Sequence, residues 1–328
     1  MDEIRVGMVG GDLHALYYGA QMFKYDPVEM RQHGRGYGAL YYHYVWYNSP
    51  TTMTTPFVGG FRLVKAWAQD RAEAEVMARV FDSDVEVCDT PEECSDDVDL
   101  VFIPECSGDG STHLQLATPG LEKGVATFVD KPLAYTYADA KAILDMGEKH
   151  KTPVMSISML RVVPHASYFR DRLQEIAPVG YGSVKGGGTS MAGHIHAISL
   201  AQHVFGAGVE AVEAMGPNEL SFMHLDYGGK PDRPEAGVML NCDAGPTYHC
   251  SFYVSAFGGA GAIHSGQIGD FEFPFGSAII LEKIKRMVQT GEPQADREEM
   301  LEGIAIADAG RLAQEEGRRV ALREVTGG

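Results

Sequence analysis

Thr127-Phe-Val-Asp-Lys-Pro-Leu-Ala134 is a short β-rich run that breaks at a proline and carries one lysine. Ahead of it, Val98-Asp-Leu-Val-Phe-Ile103 has the near-continuous apolar character of a strand covered on both faces, and behind it Tyr137 to His150 has helical spacing. This order puts Lys131 at the carboxyl end of a parallel strand, where open α/β sheets hold their ligands. Spacing alone favours the plainer reading, a surface lysine on a strand-to-helix turn. The rest of the chain reverses that preference.

Upstream, Ile4-Arg-Val-Gly-Met-Val9 reads as a buried strand that runs straight into Gly10-Gly-Asp-Leu-His-Ala15. A dinucleotide fingerprint, G-x-G-x-x-G, belongs at such a junction: one glycine for the turn, one for the approach of the pyrophosphate, one for helix packing. Here those positions are Gly10, Asp12 and Ala15. Ala15 is small enough to pack. Asp12 brings a carboxylate to the pyrophosphate position unless it turns away to cap the helix that follows. Gly10, Gly11, Asp12 and Leu13 are the candidate cofactor-binding residues of this turn.

Phe61 to Trp67 is the second strand and Arg71 to Phe81 its helix. The end of such a strand reads the adenosine ribose, an acid suiting NAD and a nearby arginine suiting NADP. Gln69 and Asp70 are the candidates, with Arg71 next to them. Asp70 serves equally as a ribose ligand or as a helix cap, so NAD and NADP both stay open. A short strand at Val85 to Cys88, an acidic turn at Pro91 to Asp97 and a helix from His113 to Lys123 complete the alternation, with His113 read as a helix-start residue.

Between Tyr17 and Gly60 the chain departs from a compact β-α-β unit. Eight of its 15 tyrosines lie between Tyr17 and Tyr47, together with Phe23, His33, His43 and Trp46. A crossover needs only about a dozen residues, so roughly twenty-five are insertion. A lid and a subunit contact are the two leading readings of this stretch, spanning about residues 20–60.

After Val154 to Ser158 the pattern changes. A helix at Pro164 to Ile176 precedes strand-like runs at Gly182–Thr189, Val209–Met215, Leu220–Tyr227, Val238–Cys242 and Tyr248–Phe257. A helix from His194 to Phe205 interrupts them, and helices at Gly276–Gln289 and Arg297–Glu316 end the chain. Strands that follow one another without helices imply a largely antiparallel sheet. The expected fold is α/β: a doubly wound parallel sheet in residues 1–157, then an α+β domain with a largely antiparallel, open-faced sheet in 158–328.

At 328 residues, 45% hydrophobic and 22% charged, the chain has room for two globular domains. A formal charge of -18 with no basic stripe argues against nucleic acid or an anionic membrane as partner and for a small ligand. The five cysteines, Cys88, Cys94, Cys106, Cys242 and Cys250, show no CxxC spacing, which points to reduced thiols in a cytoplasmic protein and to no metal site. No signal-peptide h-region and no apolar run of spanning length is present.

With Gly10 to Ala15, the Asp130-Lys131-Pro132 turn, Met159-Leu-Arg-Val-Val-Pro164 and Gly193-His-Ile-His196 in this order, the chain resembles the Gfo/Idh/MocA family of sugar and cyclitol oxidoreductases. The resemblance covers nearly the whole length apart from the tyrosine-rich insertion. It implies a Rossmann domain binding NAD or NADP, a carboxyl-terminal sheet domain, and a homo-oligomer, dimer or tetramer, assembled on the open sheet face. It also implies that Lys131 contacts both the substrate hydroxyl and the nicotinamide, and that His196 acts with it. The family's aspartate four positions before that histidine is Ala192 here, and the acid three positions after it is Ser199. His194 is the candidate replacement for that aspartate. Arg161 looks like the family's arginine after the last Rossmann strand, there to orient cofactor or substrate or to pair with an acid.

Oxidising a secondary alcohol requires removal of the hydroxyl proton as hydride departs, which suits a histidine and a neighbouring cation. The expectation is a nicotinamide-dependent dehydrogenase or reductase acting on a sugar, sugar derivative or cyclitol. Two rivals stand beside it. One is a lyase or glycoside-cleaving enzyme that keeps its NAD bound and uses it transiently; the other is a non-catalytic Rossmann ligand-binding protein.

Overall fold

The computed structural model of the chain describes residues 3–33, 56–81, 84–106, 108–188, 190–242, 251–269 and 272–327, with Gly36 and Gly38. The aromatic stretch between His33 and Pro56 otherwise lies outside the described residues, and so does the choice between lid and interface. The chain divides into two compact units. The first comprises Met1–Ala134, Asp139–Ile157 and Ser277–Asp296, and the second Tyr135–Ala138, Ser158–Gly276 and Arg297–Gly328.

In the first unit, β1 (Ile4–Val9), β2 (Phe61–Trp67), β3 (Glu86–Val87), β4 (Leu100–Ile103), β5 (Ala126–Val129) and β6 (Val154–Met155) form one sheet in the order β3-β2-β1-β4-β5-β6. Every pairing is parallel. The order reverses between β1 and β4, and such a switch point opens a crevice at the carboxyl ends of the strands. Helices α1 (Leu13–Met22), α2 (Pro27–Gln32), α3 (Arg71–Phe81), α4 (Pro91–Cys94), α5 (His113–Glu122) and α6 (Tyr137–His150) belong to the connections. The strands β4 and β5 are buried along their whole length, as their unbroken apolar sequences require.

An aromatic cluster fixes α1 on this sheet. Phe102 and Phe128 stack with centroids 4.8 Å apart, and the Tyr18 ring meets them edge-on at 5.4 and 6.1 Å. All three are fully buried. Offset and edge-to-face pairs of this kind add about 0.5–1.5 kcal/mol each beyond their buried area. Ser277 Oγ donates to Gln21 Oε1 at 2.8 Å, both side chains fully buried, which anchors the returning segment Ser277–Asp296 on the same unit.

The second unit holds α7 (Pro164–Asp171), β7 (Val179–Lys185), α8 (Met191–Phe205), β8 (Ala211–Met215), β9 (Phe222–Asp226), β10 (Val238–Asn241), β11 (Ser251–Gly258), β12 (Gly261–His264) and β13 (Ile268–Gly269). Helix α9 (Phe273–Thr290) starts here but belongs from Ser277 onward to the first unit, and helix α10 (Arg297–Glu316), strand β14 (Val320–Ala321) and helix α11 (Leu322–Thr326) complete the second. The sheet order is β12-β11-β7-β10-β9-β8-β14, with β13 on β11. Only β10 and β7 pair in parallel among these strands. The largely antiparallel sheet expected from consecutive strands is therefore present.

Boundaries shift in a few places. Helix α7 stops at Asp171 and gives way to a 3-10 turn at Arg172–Glu175, short of the expected end at Ile176. Helix α8 begins at Met191, three residues before His194, and α9 begins at Phe273. Helix α8 is buried on nearly all sides, so it lacks the amphipathic stripe by which helix starts are read. Gly193 is required in it: a Cβ there would lie 1.7 Å from the Gly187 carbonyl oxygen, because the Gly186–Gly188 loop rests on the first turn of the helix.

Candidate functional site

The carboxyl ends of β1, β4 and β5 bring together five residues in a closed ring of hydrogen bonds. The His14 ring donates from Nδ1 to Asp130 Oδ2. The Lys131 amide donates to Asp130 Oδ1 at 2.8 Å, and Lys131 Nζ donates to the Cys106 carbonyl oxygen at 3.3 Å. The Cys106 amide donates to Asp12 Oδ2 at 2.7 Å, and the His14 amide returns to Asp12 Oδ1 at 2.9 Å. Lys131 is thus a buried lysine, 6% exposed, whose ammonium is tied across from β5 to the end of β4. The surface-lysine reading fails on that burial.

The ring is strongly polarised. Burial alone would raise the Asp130 carboxyl, yet the charges of His14 and Lys131 and the hydrogen bonds both supply hold it below the usual carboxylate range. Burial likewise disfavours a charged His14, but Cys106 and Asp130 outweigh it, and His14 is pushed up to about 10. Burial, then the charges of Asp130, Tyr17 and Cys106, drives the Tyr18 phenol well above its ordinary value. An imidazolium and a carboxylate therefore coexist in low dielectric beside Lys131, each maintaining the other's ionisation.

Gly10 has φ +124°, its amide donates to the Trp67 carbonyl oxygen at 2.8 Å, and α1 starts at Leu13, so strand, turn and helix start are all in place. Asp12 is the N-cap of α1, and its carboxylate is engaged by the His14 and Cys106 amides. A Cβ at Gly10 would meet the Glu105 side chain at 2.8 Å, and one at Gly11 would meet Glu73 at 2.5 Å. The backbone fits a dinucleotide, while three acids stand around the turn. At the end of β2, Gln69 and Asp70 are exposed, Asp70 Oδ1 accepts from the Ala72 amide at 3.0 Å, and Arg71 pairs with Asp89 and Glu75.

In the second unit, His194 and His196 lie in the first turns of α8, 0% and 3% exposed. His196 Nδ1 is 2.6 Å from Ser158 Oγ, which also accepts from the Leu160 amide at 3.2 Å, and the His196 ring is flanked by Phe252 and Phe273. At about 100° per residue, His194 and His196 project to nearly opposite sides of the helix, whereas Ala192 shares the His196 side. Arg161 pairs with Glu299 and donates from Nη1 to Gln202 Oε1 at 3.3 Å.

Four contributors escaped the sequence reading: His14, Cys106, Asp130 as an ion-pair partner, and His113. His113 does open α5, but it is 1% exposed and its Nδ1 lies 2.8 Å from the Pro132 carbonyl oxygen, under the lysine turn. An acid directly before a lysine at the end of an apolar strand was the available signal, since a buried carboxylate demands a cation. Nothing in the spacing marks His14 as that cation.

Residues 33–158 match the Gfo/Idh/MocA model, an oxidoreductase family with an NAD-binding Rossmann fold. The match begins beyond the altered Gly10–Ala15 turn. No curated protein matches the chain in sequence. Among solved structures, the chain is similar to scyllo-inositol dehydrogenase from Lactobacillus casei with bound NAD(H) and scyllo-inositol, at 16% identity and TM-score 0.70, covering 98% of this chain and 99% of that one. Myo-inositol 2-dehydrogenase from Lactobacillus plantarum aligns at 13% identity and TM-score 0.71, with the same coverage of 98% and 99%. An oxidoreductase from Agrobacterium radiobacter in complex with NAD+, L-tartaric acid and magnesium aligns at 13% identity and TM-score 0.69, again over 98% and 99%. At these identities the likeness establishes the fold. Among the described residues, no helix is long and apolar enough to cross a membrane and no cluster of metal-binding side chains occurs.

Proposed function

With a Gfo/Idh/MocA NAD-binding domain matched over residues 33–158, the chain is, we propose, a nicotinamide-dependent dehydrogenase or reductase acting on a secondary hydroxyl or ketone of a sugar, sugar derivative or cyclitol. The observation that carries this reading is Lys131: a buried ammonium at the end of β5, held on the Cys106 carbonyl and flanked by a buried ionised carboxylate. A cation fixed at the switch-point crevice suits an oxygen that gains negative charge during reaction. The cyclitol dehydrogenases among the structural neighbours support the substrate class.

Gly10, Gly11, Asp12 and Leu13 would hold the pyrophosphate, and Gln69 and Asp70 the adenosine ribose. Arg71 is committed to Asp89 and Glu75, so the end of β2 favours NAD over NADP. When bound, the nicotinamide supplies the hydride acceptor or donor. Lys131 stabilises the substrate oxygen as its charge develops. His196 exchanges the hydroxyl proton through Nε2, because its Nδ1 is hydrogen-bonded to Ser158 Oγ. The roles of Lys131 and His196 on one hydroxyl, and any contact of Arg161 with substrate, rest on the family resemblance. Ala192 in place of the family aspartate is the one feature that favours the lyase-type rival with retained NAD.

The test is the cofactor that copurifies with the chain, identified by absorbance and mass after denaturation, followed by titration of NAD(H) and NADP(H). NAD(H) is expected, in preference to NADP(H). Failure of both to bind below the millimolar range, about 4 kcal/mol, sinks the proposal.

A further inference from the structure

The proposed hydride transfer needs Lys131 held in one place, and the chain holds it from both ends. At the backbone end, the Lys131 amide donates to Asp130 Oδ1 at 2.8 Å, and the other oxygen of that carboxylate takes the His14 ring N–H. At the ammonium end, Nζ donates to the Cys106 carbonyl oxygen at 3.3 Å, and the Cys106 amide donates to Asp12 Oδ2 at 2.7 Å. Asp12 and His14 stand two residues apart where α1 begins. The start of α1 therefore determines where both ends of the lysine lie. The Asp130 amide is already part of the sheet, donating to the Ile103 carbonyl oxygen at 2.9 Å, so what remains to be fixed is its carboxylate and the turn that follows.

His14 is built to fix that carboxylate. Its ring packs against Tyr17 and Tyr18, centroids 5.6 and 5.5 Å away, and Tyr18 rests edge-on against Phe102 of β4 and Phe128 of β5. The imidazole thus stands on a floor set by the two strands whose ends carry Cys106 and Lys131. An ionised carboxylate only accepts, so Nδ1 is the donor. The His14 side chain is 13% exposed and that of Asp130 0%. A pair so buried adds little to stability, because desolvation cancels much of its attraction and apolar replacements are often neutral. Folding alone does not call for this pair, whereas a carboxylate that must point one way does.

We propose that His14 is a positioning residue for Lys131: through the Asp130 carboxylate it fixes the lysine turn so that the ammonium meets the substrate oxygen. The role rests on the dehydrogenase reading. It acts by placement alone, and a displacement of about 1 Å at a reacting group can cost about 10²-fold in rate.

The experiment has two arms on the full-length chain. One measures NAD+ reduction with whichever of myo-inositol, scyllo-inositol and D-glucose the wild type oxidises fastest. The other is competitive acetylation of lysines by trace acetic anhydride without cofactor, read by mass spectrometry. His14→Leu, which removes the donor, should lower kcat about 10–100-fold with KM for NAD+ nearly unchanged. His14→Asn, whose side-chain amide N–H can stand in for Nδ1–H, should recover most of that loss. In a Lys131→Met background His14→Leu should cost nothing further, because groups that act as a unit are not additive. Acetylation of Lys131 relative to the exposed Lys24 should rise severalfold in His14→Leu and return toward wild type in His14→Asn. His14→Leu leaves a buried carboxylate without its cation and can unfold the chain, so His14→Leu/Asp130→Asn, which removes both charges, is the second variant and should show the same kcat loss. Near-normal kcat in either variant, losses that multiply in the Lys131→Met background, or unchanged Lys131 acetylation overturns the proposal. If the wild type reduces NAD+ with none of the three compounds, the failure belongs to the substrate reading, and the acetylation ratio still decides whether His14 holds Lys131.

Discussion

His14 and Asp130, 116 residues apart in the chain, are joined from Nδ1–H to Oδ2 where β1 and β5 end. Each is buried and each keeps the other charged, so the pair ties the start of α1 to the lysine turn through an interaction that pH can undo.

The pair should give stability a two-sided pH dependence. His14 is raised from 6.5 to about 10, so its contribution is complete below about 6.5 and is lost as pH climbs toward about 10. Asp130 is lowered, so its contribution is complete above the ordinary carboxylate range near ~3.9 and is lost as pH falls through its folded value. In urea titrations, the gap in midpoint between the wild type and His14→Gln should be widest near pH 6 and should shrink toward pH 10. A gap independent of pH would mean that His14 is neutral and merely packs.

Asp12 has two separable effects. As N-cap of α1 and acceptor for the Cys106 amide it supports the fold, and Asp12→Ala should cost about 1 kcal/mol, within the ~0.5–2 kcal/mol measured for lost caps. As a carboxylate at the turn proposed here for the pyrophosphate, it should repel the cofactor. Asp12→Asn, which keeps an oxygen for the His14 amide, should therefore bind NAD(H) more tightly by calorimetry. Weaker binding would identify the carboxylate as a cofactor contact.

The open face of the second sheet should make the homo-oligomer contact. Tyr253 and Phe257 on β11 are 42% and 41% exposed and alternate with buried Val254 and Ala256, and Phe257 pairs in register with Tyr181. An aromatic patch of this kind on a sheet face favours burial against another subunit. Light scattering should give a dimer or tetramer, with Phe257→Asp shifting it toward monomer. A wild-type monomer at micromolar concentration contradicts the assignment.

On α8, the opposite projection of two histidines separates their roles. His196→Ala should lower turnover by about 10²–10⁴-fold with cofactor affinity nearly intact, as for a positioned acid–base group. His194→Ala should mainly reduce thermal stability. A turnover loss from His194→Ala equal to that from His196→Ala would restore His194 as the stand-in for the aspartate missing at Ala192.

Most of the fold was legible because its strands are either unbroken apolar runs or follow one another without helices. Ile4–Val9, Phe61–Trp67, Arg71–Phe81, Tyr137–His150 and Arg297–Glu316 fall where their spacing puts them. The pieces that escaped are short: β13 and β14 have two residues each, below any readable period. Strand β12 buries only Ile263 of its four residues, and its clearest signal was the two-residue connection Gly259-Ala260 after β11. At the site, Lys131 was legible from its place after an apolar strand, and the capping role of Asp12 from its place before a helix. The His14 to Asp130 link was not, because a contact across 116 residues leaves no periodic trace.

The central claim is that Lys131 serves hydride transfer between nicotinamide and a secondary alcohol. The most direct measurement is the appearance of reduced nicotinamide when the chain is mixed with NAD+ and a panel of cyclitols and sugars, in the wild type and in Lys131→Met. At least one substrate should reduce NAD+ with wild-type protein, and Lys131→Met should lower that rate by about 10²–10⁴-fold while NAD(H) still binds. Near-normal turnover in Lys131→Met on the same substrate would contradict the account.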